Sequence, residues 1–277
     1  RAFPASYGGG KPCGEDLIAG LGAFYVNQDG KIMLDCTGGH YQMTWGYNPP
    51  PLIEAAMEGM RRGIVWDNHS NTPCIPVKQL ANELINMAKG TGADRVLLGV
   101  CTGSVACSSA LKILLARYRN DPARMAGGTP VVVSLEGNYH GTDMVAQTMR
   151  GMWPGLVCGM ETVSVEPNDP EQLRGVFDKY GPRVAGFWAE PVMMNREAIL
   201  VERDYLQLAC DLCREVGALS VIDEIQTCFW QPDVLASVER GLQPDMIVIG
   251  KGMTAGFHPL SALLYREELD ILAQYDA

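Results

Sequence analysis

Three short stretches place reactive groups where apolar runs end. In VIDEIQTCFW, residues 221–230, Asp223 and Glu224 close an apolar run. Successive strand side chains point to opposite faces, so the two carboxylates belong on different sides of a sheet. A carboxylate at a buried strand end is costly without a cationic partner, and a protonated ring nitrogen would serve Asp223 as one; a surface carboxylate capping the next segment is the plainer alternative. In MIVIGKGMTAG, residues 246–256, Lys251 follows a second apolar run. A partly desolvated lysine has a lowered pKa and can form an imine with an aldehyde, whereas an ordinary lysine only snorkels its ammonium to water. In CTGSVACSSALKILLARY, residues 101–118, an apolar run passes through Thr102, Gly103 and Ser104 into a helical pattern. Amides at a helix start, a glycine permitting close approach and two hydroxyls suit a phosphate, although Ser104 as a simple N-cap accounts for the same residues.

Taken together, a phosphate cradle, a strand-end aspartate and a strand-end lysine are the anchor, pyridinium partner and imine former that pyridoxal 5'-phosphate requires.

These groups need a frame to bring them together. From residue 95 onward, short apolar strands (RVLLGV, VVVSL, TVSV, VAGFWAE, LSVIDE, MIVIGK, LSALLY) are separated mostly by helical stretches such as SVACSSALKILLARY, PEQLRGVFDKY and DYLQLACDLCREVG. This alternation predicts an α/β fold, a mostly parallel sheet sandwiched by helices. Ligands of such sheets sit at the carboxyl ends of the strands. Upstream, PLIEAAMEGMRR and VKQLANELINMAKG read as helices, the second closing on Gly90. NQDGKIMLD, residues 27–35, reads as a hairpin turning at Asp29-Gly30. The expected division is an N-terminal segment with a β-hairpin over residues 1–50 and one large cofactor-binding domain over 51–277.

The composition, 47% hydrophobic and 19% charged, is that of a globular protein. A formal charge of −10 argues against nucleic acid or an anionic membrane as partner, so any anion must be caught locally. No apolar run reaches the roughly 18 residues of a membrane span, and RAFPASYGGGKPC lacks a signal core, so the expected compartment is cytoplasmic. The nine cysteines, among them Cys36, Cys101, Cys107 and Cys158, are expected to be reduced thiols. Cys210 and Cys213 have C-x-x-C spacing inside an amphipathic helix and are read as packing, with no metal site expected. No G-x-G-x-x-G follows a strand, and GKG at 250–252 lacks the spacing and hydroxyl of a nucleotide-binding loop, which weighs against a nucleotide-binding enzyme; a non-catalytic relative would not need both Asp223 and Lys251.

From about Asp29 to its last residue the chain resembles the class III (ω-type) aminotransferases of fold-type I. The motifs fall in family order: GKIMLDCTGG, TGS at 102–104, YHG at 139–141, AEP at 189–191, DEIQT at 223–227 and PDMIVIGKGMTAGFHPLSA. The resemblance implies that Lys251 forms the imine and shuttles the proton, that Asp223 pairs with the pyridine nitrogen, and that Gly103 and Ser104 hold the phosphate. It further implies that Tyr139 stacks on the ring, that Gln226 reaches the ring hydroxyl region, and that His140 and Glu190 support the site from behind. Plainer roles exist: a core aromatic for Tyr139, a histidine that only orients neighbours, a strand-end carboxylate without a function for Glu190. The family also implies a homodimer, a small-molecule amino donor with a carbonyl acceptor, and a smaller C-terminal domain that this chain is expected to lack.

Departures fall on the substrate side. Val105 and Cys107 follow the phosphate turn, EPVMMN ends in Asn195 where some members place a gating glutamate, and CFWQPD at 228–233 stands where G-F-G-R-T-G is usual. The expected activity is transfer of an amino group from an amine or amino acid to a keto acid or aldehyde. A racemase, epimerase or aminomutase on the same scaffold is the alternative.

Overall fold

The computed structural model describes residues 17–64, 74–153 and 159–272. The expectations for the first sixteen residues and for Cys158 lie outside the described residues. In chain order the strands are β1 (Leu17–Leu21), β2 (Phe24–Asn27), β3 (Ile32–Leu34), β4 (Arg95–Val100), β5 (Val131–Leu135), β6 (Glu161–Val165), β7 (Val184–Ala189), β8 (Val192–Met193), β9 (Ile199–Leu200), β10 (Leu219–Asp223), β11 (Met246–Ile249) and β12 (Ser261–Tyr265).

The large sheet has the order β4-β12-β11-β10-β7-β5-β6. Strands β11, β10, β7, β5 and β6 pair in parallel, and β12 runs antiparallel to both of its neighbours. Every residue of β5, β7, β10 and β11 is buried, as a sheet covered on both faces requires. On one face, helix Gly103–Arg119 buries Ala106, Ala110, Ile113 and Leu114 against Val132, Trp188, Val221 and Val248. Helices Pro170–Tyr180 and Arg203–Val216 cover the other with Phe177, Leu206, Ala209 and Leu212 against Phe187 and Ile222. Gly186 in β7 is where helix and sheet meet most closely: a Cβ there would lie 2.2 Å from Leu114 Cδ1.

The hairpin expected at Asp29-Gly30 joins β2 to β3. Asn27 Oδ1 accepts from the amides of Asp29 (3.1 Å) and Lys31 (2.9 Å), and Gly30 takes φ +77°. β1 completes a three-stranded antiparallel sheet that the sequence pattern did not announce.

The second upstream helix ends earlier than expected. It spans Ile75–Met87, Ala88 is its C-cap, and Gly90 lies in the turn beyond with φ +99°. The Thr91 amide (3.1 Å) and hydroxyl (2.7 Å) both donate to Ala88 O, so the C-cap carbonyl is satisfied from beyond the glycine. Cys210 and Cys213 pack on the buried face of their helix, and burial raises both thiols, Cys210 to about 11. Among the described residues, no helix is long and apolar enough to cross a membrane.

Candidate functional site

The carboxyl ends of β10, β11, β7 and β5, with the start of helix Gly103–Arg119 after β4, deliver Asp223, Lys251, Glu190, Tyr139-His140 and Gly103-Ser104 to one edge of the sheet. A cavity of about 140 Å³ opens there, lined by Gly103, Ser104, Tyr139, His140, Asp223, Gln226 and Lys251. Gly141, Thr142 and Ile225 complete its wall. Of the eight residues singled out in the sequence, only Glu190 stays out of the lining, one layer behind.

Asp223 is nearly inaccessible and its oxygens are well supplied. Oδ2 accepts from His140 Nδ1 at 2.7 Å and from Cys107 Sγ at 3.6 Å, and Oδ1 accepts from the Ile225 amide at 3.0 Å. Its neighbour Glu224 turns to the opposite side, as strand alternation demands. There it accepts from the amides of Ala236 (2.5 Å) and Ser237 (2.8 Å), so the capping role applies to this carboxylate.

Lys251 stands at the start of a 3-10 turn that follows β11, with φ +35°. Burial lowers its pKa, and the charges of Asp223 and Glu190 pull part of the way back. A non-glycine residue at positive φ is held there by its surroundings, and such positions gather at functional sites.

At the helix start, Thr102 rather than Ser104 is the N-cap. Its Oγ1 accepts from the Val105 amide at 3.3 Å, because the strand-like backbone of Thr102 turns its side chain back over the first turn. Ser104 is therefore left to the cavity, where its Oγ accepts from the Thr142 amide at 3.2 Å. Gly141 makes this approach possible: at φ +124°, a Cβ on it would lie 2.1 Å from Ser104 Oγ.

Behind the cavity, Glu190 receives the Tyr139 amide on Oε2 at 2.8 Å and Gln226 Nε2 on Oε1 at 3.2 Å. Burial pushes Glu190 up to about 7, countered by the His140 ring and raised further by the Asp223 charge. Gln226 Nε2 also donates to Asn195 Oδ1 at 3.0 Å. Both of these bonds are made by the side-chain nitrogen of Gln226. The Arg150 guanidinium lies 6.0 Å from the Tyr139 ring centroid.

Cys107, read from the sequence as a departure on the substrate side, instead backs Asp223, and Tyr41 was not singled out. Cys107 is wholly buried one helical turn after Gly103, and its thiol is held well above its ordinary pKa by burial and by the Asp223 charge, so it remains an S–H donor. The i, i+4 spacing from Gly103 was the available signal. Lys251 Nζ lies 5.4 Å from the Tyr41 ring centroid, and nothing in the local sequence forecasts that contact.

The site can hold an anion against Ser104 and the first amides of a 17-residue helix, a cation against Asp223, and an electrophilic carbon against Lys251. An orphaned polar atom, His140 Nε2, buried and without a partner among the described residues, lies in the same group. This donor set fits a phosphorylated pyridine aldehyde.

Comparison with known proteins gives the family. The family Aminotransferase class-III matches residues 16–274. The chain is 27% identical over 254 residues to an ornithine aminotransferase of Emericella nidulans, covering 87% of this chain and 54% of that protein. It is 28% identical over 262 residues to a glutamate-1-semialdehyde 2,1-aminomutase of Aeropyrum pernix, covering 90% and 57%. The chain therefore spans little more than half the length of these relatives. Among solved structures, a transaminase of the marine bacterium Virgibacillus superposes with a TM-score of 0.81 at 22% identity, over 96% of this chain and 62% of that one, which shows the shared fold. By family match, fold and motif order, the chain belongs to the class-III aminotransferases.

Proposed function

We propose that the chain carries the pyridoxal-phosphate site of an aminotransferase that moves an amino group from an amine or amino acid to a keto acid or aldehyde. The observation that carries this reading is the convergence of Lys251, Asp223 and Ser104 on one cavity at the carboxyl edge of the sheet. When bound, the cofactor supplies an aldehyde carbon that takes up amines and a pyridine ring that accepts electron density.

The remaining chemistry belongs to the chain. Lys251 Nζ would be the amine: burial populates its neutral form at lower pH than in a free lysine, which suits it to meet an aldehyde carbon and to hold or return a proton beside it. Asp223 would be the partner of the ring nitrogen. Of a carboxylate's roughly four lone-pair positions, three are occupied by His140, Cys107 and Ile225, which leaves one for the N–H of the ring. Gly103 and Ser104 would hold the phosphate, Tyr139 would pack against the ring, and Gln226 would serve its hydroxyl. His140 and Glu190 fix Asp223 and Gln226 from behind.

We assign residues 51–277 to the large domain and 1–50 to an N-terminal segment, in a cytoplasmic homodimer acting on a small-molecule donor and a carbonyl acceptor. An aminomutase is the second reading, favoured by the likeness to the Aeropyrum pernix protein. The test uses the complete natural protein with pyridoxal phosphate, adding amines and amino acids without an acceptor. A cofactor band that bleaches stoichiometrically and stays bleached supports transamination. A band that recovers as an isomerised product accumulates supports the mutase, and no band at all contradicts both.

A further inference from the structure

A second and larger cavity, of about 700 Å³, includes Tyr41 in its wall. Tyr41 lines the larger cavity while its ring lies 5.4 Å from Lys251 Nζ. A group carried near Lys251 Nζ would therefore meet the Tyr41 ring that walls this space.

Tyr41 is presented by an unusual backbone. Gly38, Gly39, His40 and Tyr41 have φ of +56°, +56°, +63° and +66°, a left-handed turn that ordinary side chains disfavour. Surrounding contacts impose it. Asp35 accepts from the Thr37 amide and hydroxyl on Oδ1, and from the Gly39 amide (2.7 Å) and the Tyr47 hydroxyl (2.9 Å) on Oδ2. Trp230 Nε1 donates to Tyr41 O at 3.2 Å. Thr44 Oγ1 donates to Gly252 O at 3.3 Å, tying the segment to the lysine turn. Strain maintained by this many contacts marks a ligand-facing position.

The walls decide the chemistry. Tyr41, Trp45, Tyr47 and Trp230 supply rings, and Met43 and Met194 supply adaptable apolar surface. Among the described residues that line it there is no lysine, arginine or histidine. The single carboxylate, Asp35, is already engaged by the donors named above. The described walls are therefore aromatic and apolar, and among the described residues none offers a cation to a substrate carboxylate or an available anion to a second ammonium.

We infer, resting on the aminotransferase reading, that this cavity receives the side group of the amino donor and selects monoamines borne on apolar, ring-containing groups. Tyr41 and Trp230 determine that specificity. Trp230 occupies a position where the family pattern has glycine, and its ring so closely covers Gly38 that a Cβ there would lie 2.9 Å from Trp230 Cη2.

Two measurements on the complete natural protein test this. In the first, the cofactor-loaded enzyme is mixed with benzylamine, ornithine or glutamate and the bleaching of the cofactor band is followed. The expected kcat/KM for benzylamine exceeds that for either charged donor at least tenfold, and Trp230→Gly removes most of that advantage by lowering the benzylamine value severalfold more than that of either charged donor. Equal rates for all three donors, or an equal loss for all in Trp230→Gly, would overturn the inference.

The second uses benzyl alcohol, which has the ring but no amine, and follows tryptophan fluorescence of the cofactor-free protein. Saturable binding that weakens severalfold in Trp230→Gly and in Tyr41→Ala supports the cavity's role even if no cofactor band forms, in which case only the aminotransferase reading fails. A cofactor band without saturable benzyl alcohol binding overturns the inference and leaves that reading intact, as it would if another segment or a second copy fills the cavity.

Discussion

Glu190 has the most informative pH behaviour among the individual residues. Its carboxyl is pushed up to about 7 by burial, so folding disfavours its ionised form. The sign follows: the stability tied to its neutral form is complete below the ordinary glutamate range and is lost as pH rises through about 7. With about 1.4 kcal/mol for each unit of pKa, the loss amounts to at most about 3 kcal/mol. Chemical denaturation of wild type and Glu190→Gln from pH 5 to pH 8 is expected to show the variant gaining on wild type as pH rises; parallel curves would mean that Glu190 is ionised throughout. Asp223, Glu224 and Lys251 were legible because a charged residue after an apolar run must be placed by a strand end. Cys107 and Asn195 were not, because their contacts join residues 116 and 31 positions apart. Ser104 and Thr102 could not be ranked as N-cap without backbone dihedrals.

Helix and strand elements set how closely these groups approach. Gly186→Ala in β7 would drive a Cβ into Leu114 and is expected to cost about 1–3 kcal/mol by overpacking; an unchanged denaturation midpoint would contradict the close helix–sheet contact. Gly141→Ala combines a φ of +124° with a Cβ 2.1 Å from Ser104 Oγ. It should displace Ser104 and weaken cofactor binding at least tenfold, measured by dialysis equilibrium, whereas an unchanged dissociation constant would remove Ser104 from the phosphate site. The strands of the large sheet were readable as unbroken apolar runs, and helix Gly103–Arg119 from its pattern. The end of helix Ile75–Met87 was misjudged because the chain leaves the helix at Ala88, whose carbonyl is taken by Thr91, and Gly90 lies in the turn between them. The left-handed turn at residues 38–41 was invisible, since His40 and Tyr41 adopt it only under contacts from Asp35, Tyr47 and Trp230.

Across the whole molecule, the small N-terminal sheet leaves much apolar surface uncovered. Leu17, Ile18, Leu21, Phe24, Ile32 and Leu34 are between 52% and 73% exposed, a concentration that marks an interaction face and supports the proposed homodimer. The complete protein is expected to sediment as a dimer, and Phe24→Glu with Ile32→Glu to shift it toward monomer; a monomeric wild type would contradict that assignment. Architecture was legible at this scale because alternating strands and helices admit few arrangements, while the chemistry of the large cavity was not, because its walls come from residues 22–47, Met194 and Trp230. The most direct measurement is borohydride reduction of the complete protein loaded with pyridoxal phosphate, followed by mass spectrometry of its peptides. The account predicts one stable pyridoxyl adduct per chain, on Lys251, absent in Lys251→Ala. An adduct on another lysine, or undiminished labelling in that variant, would contradict it.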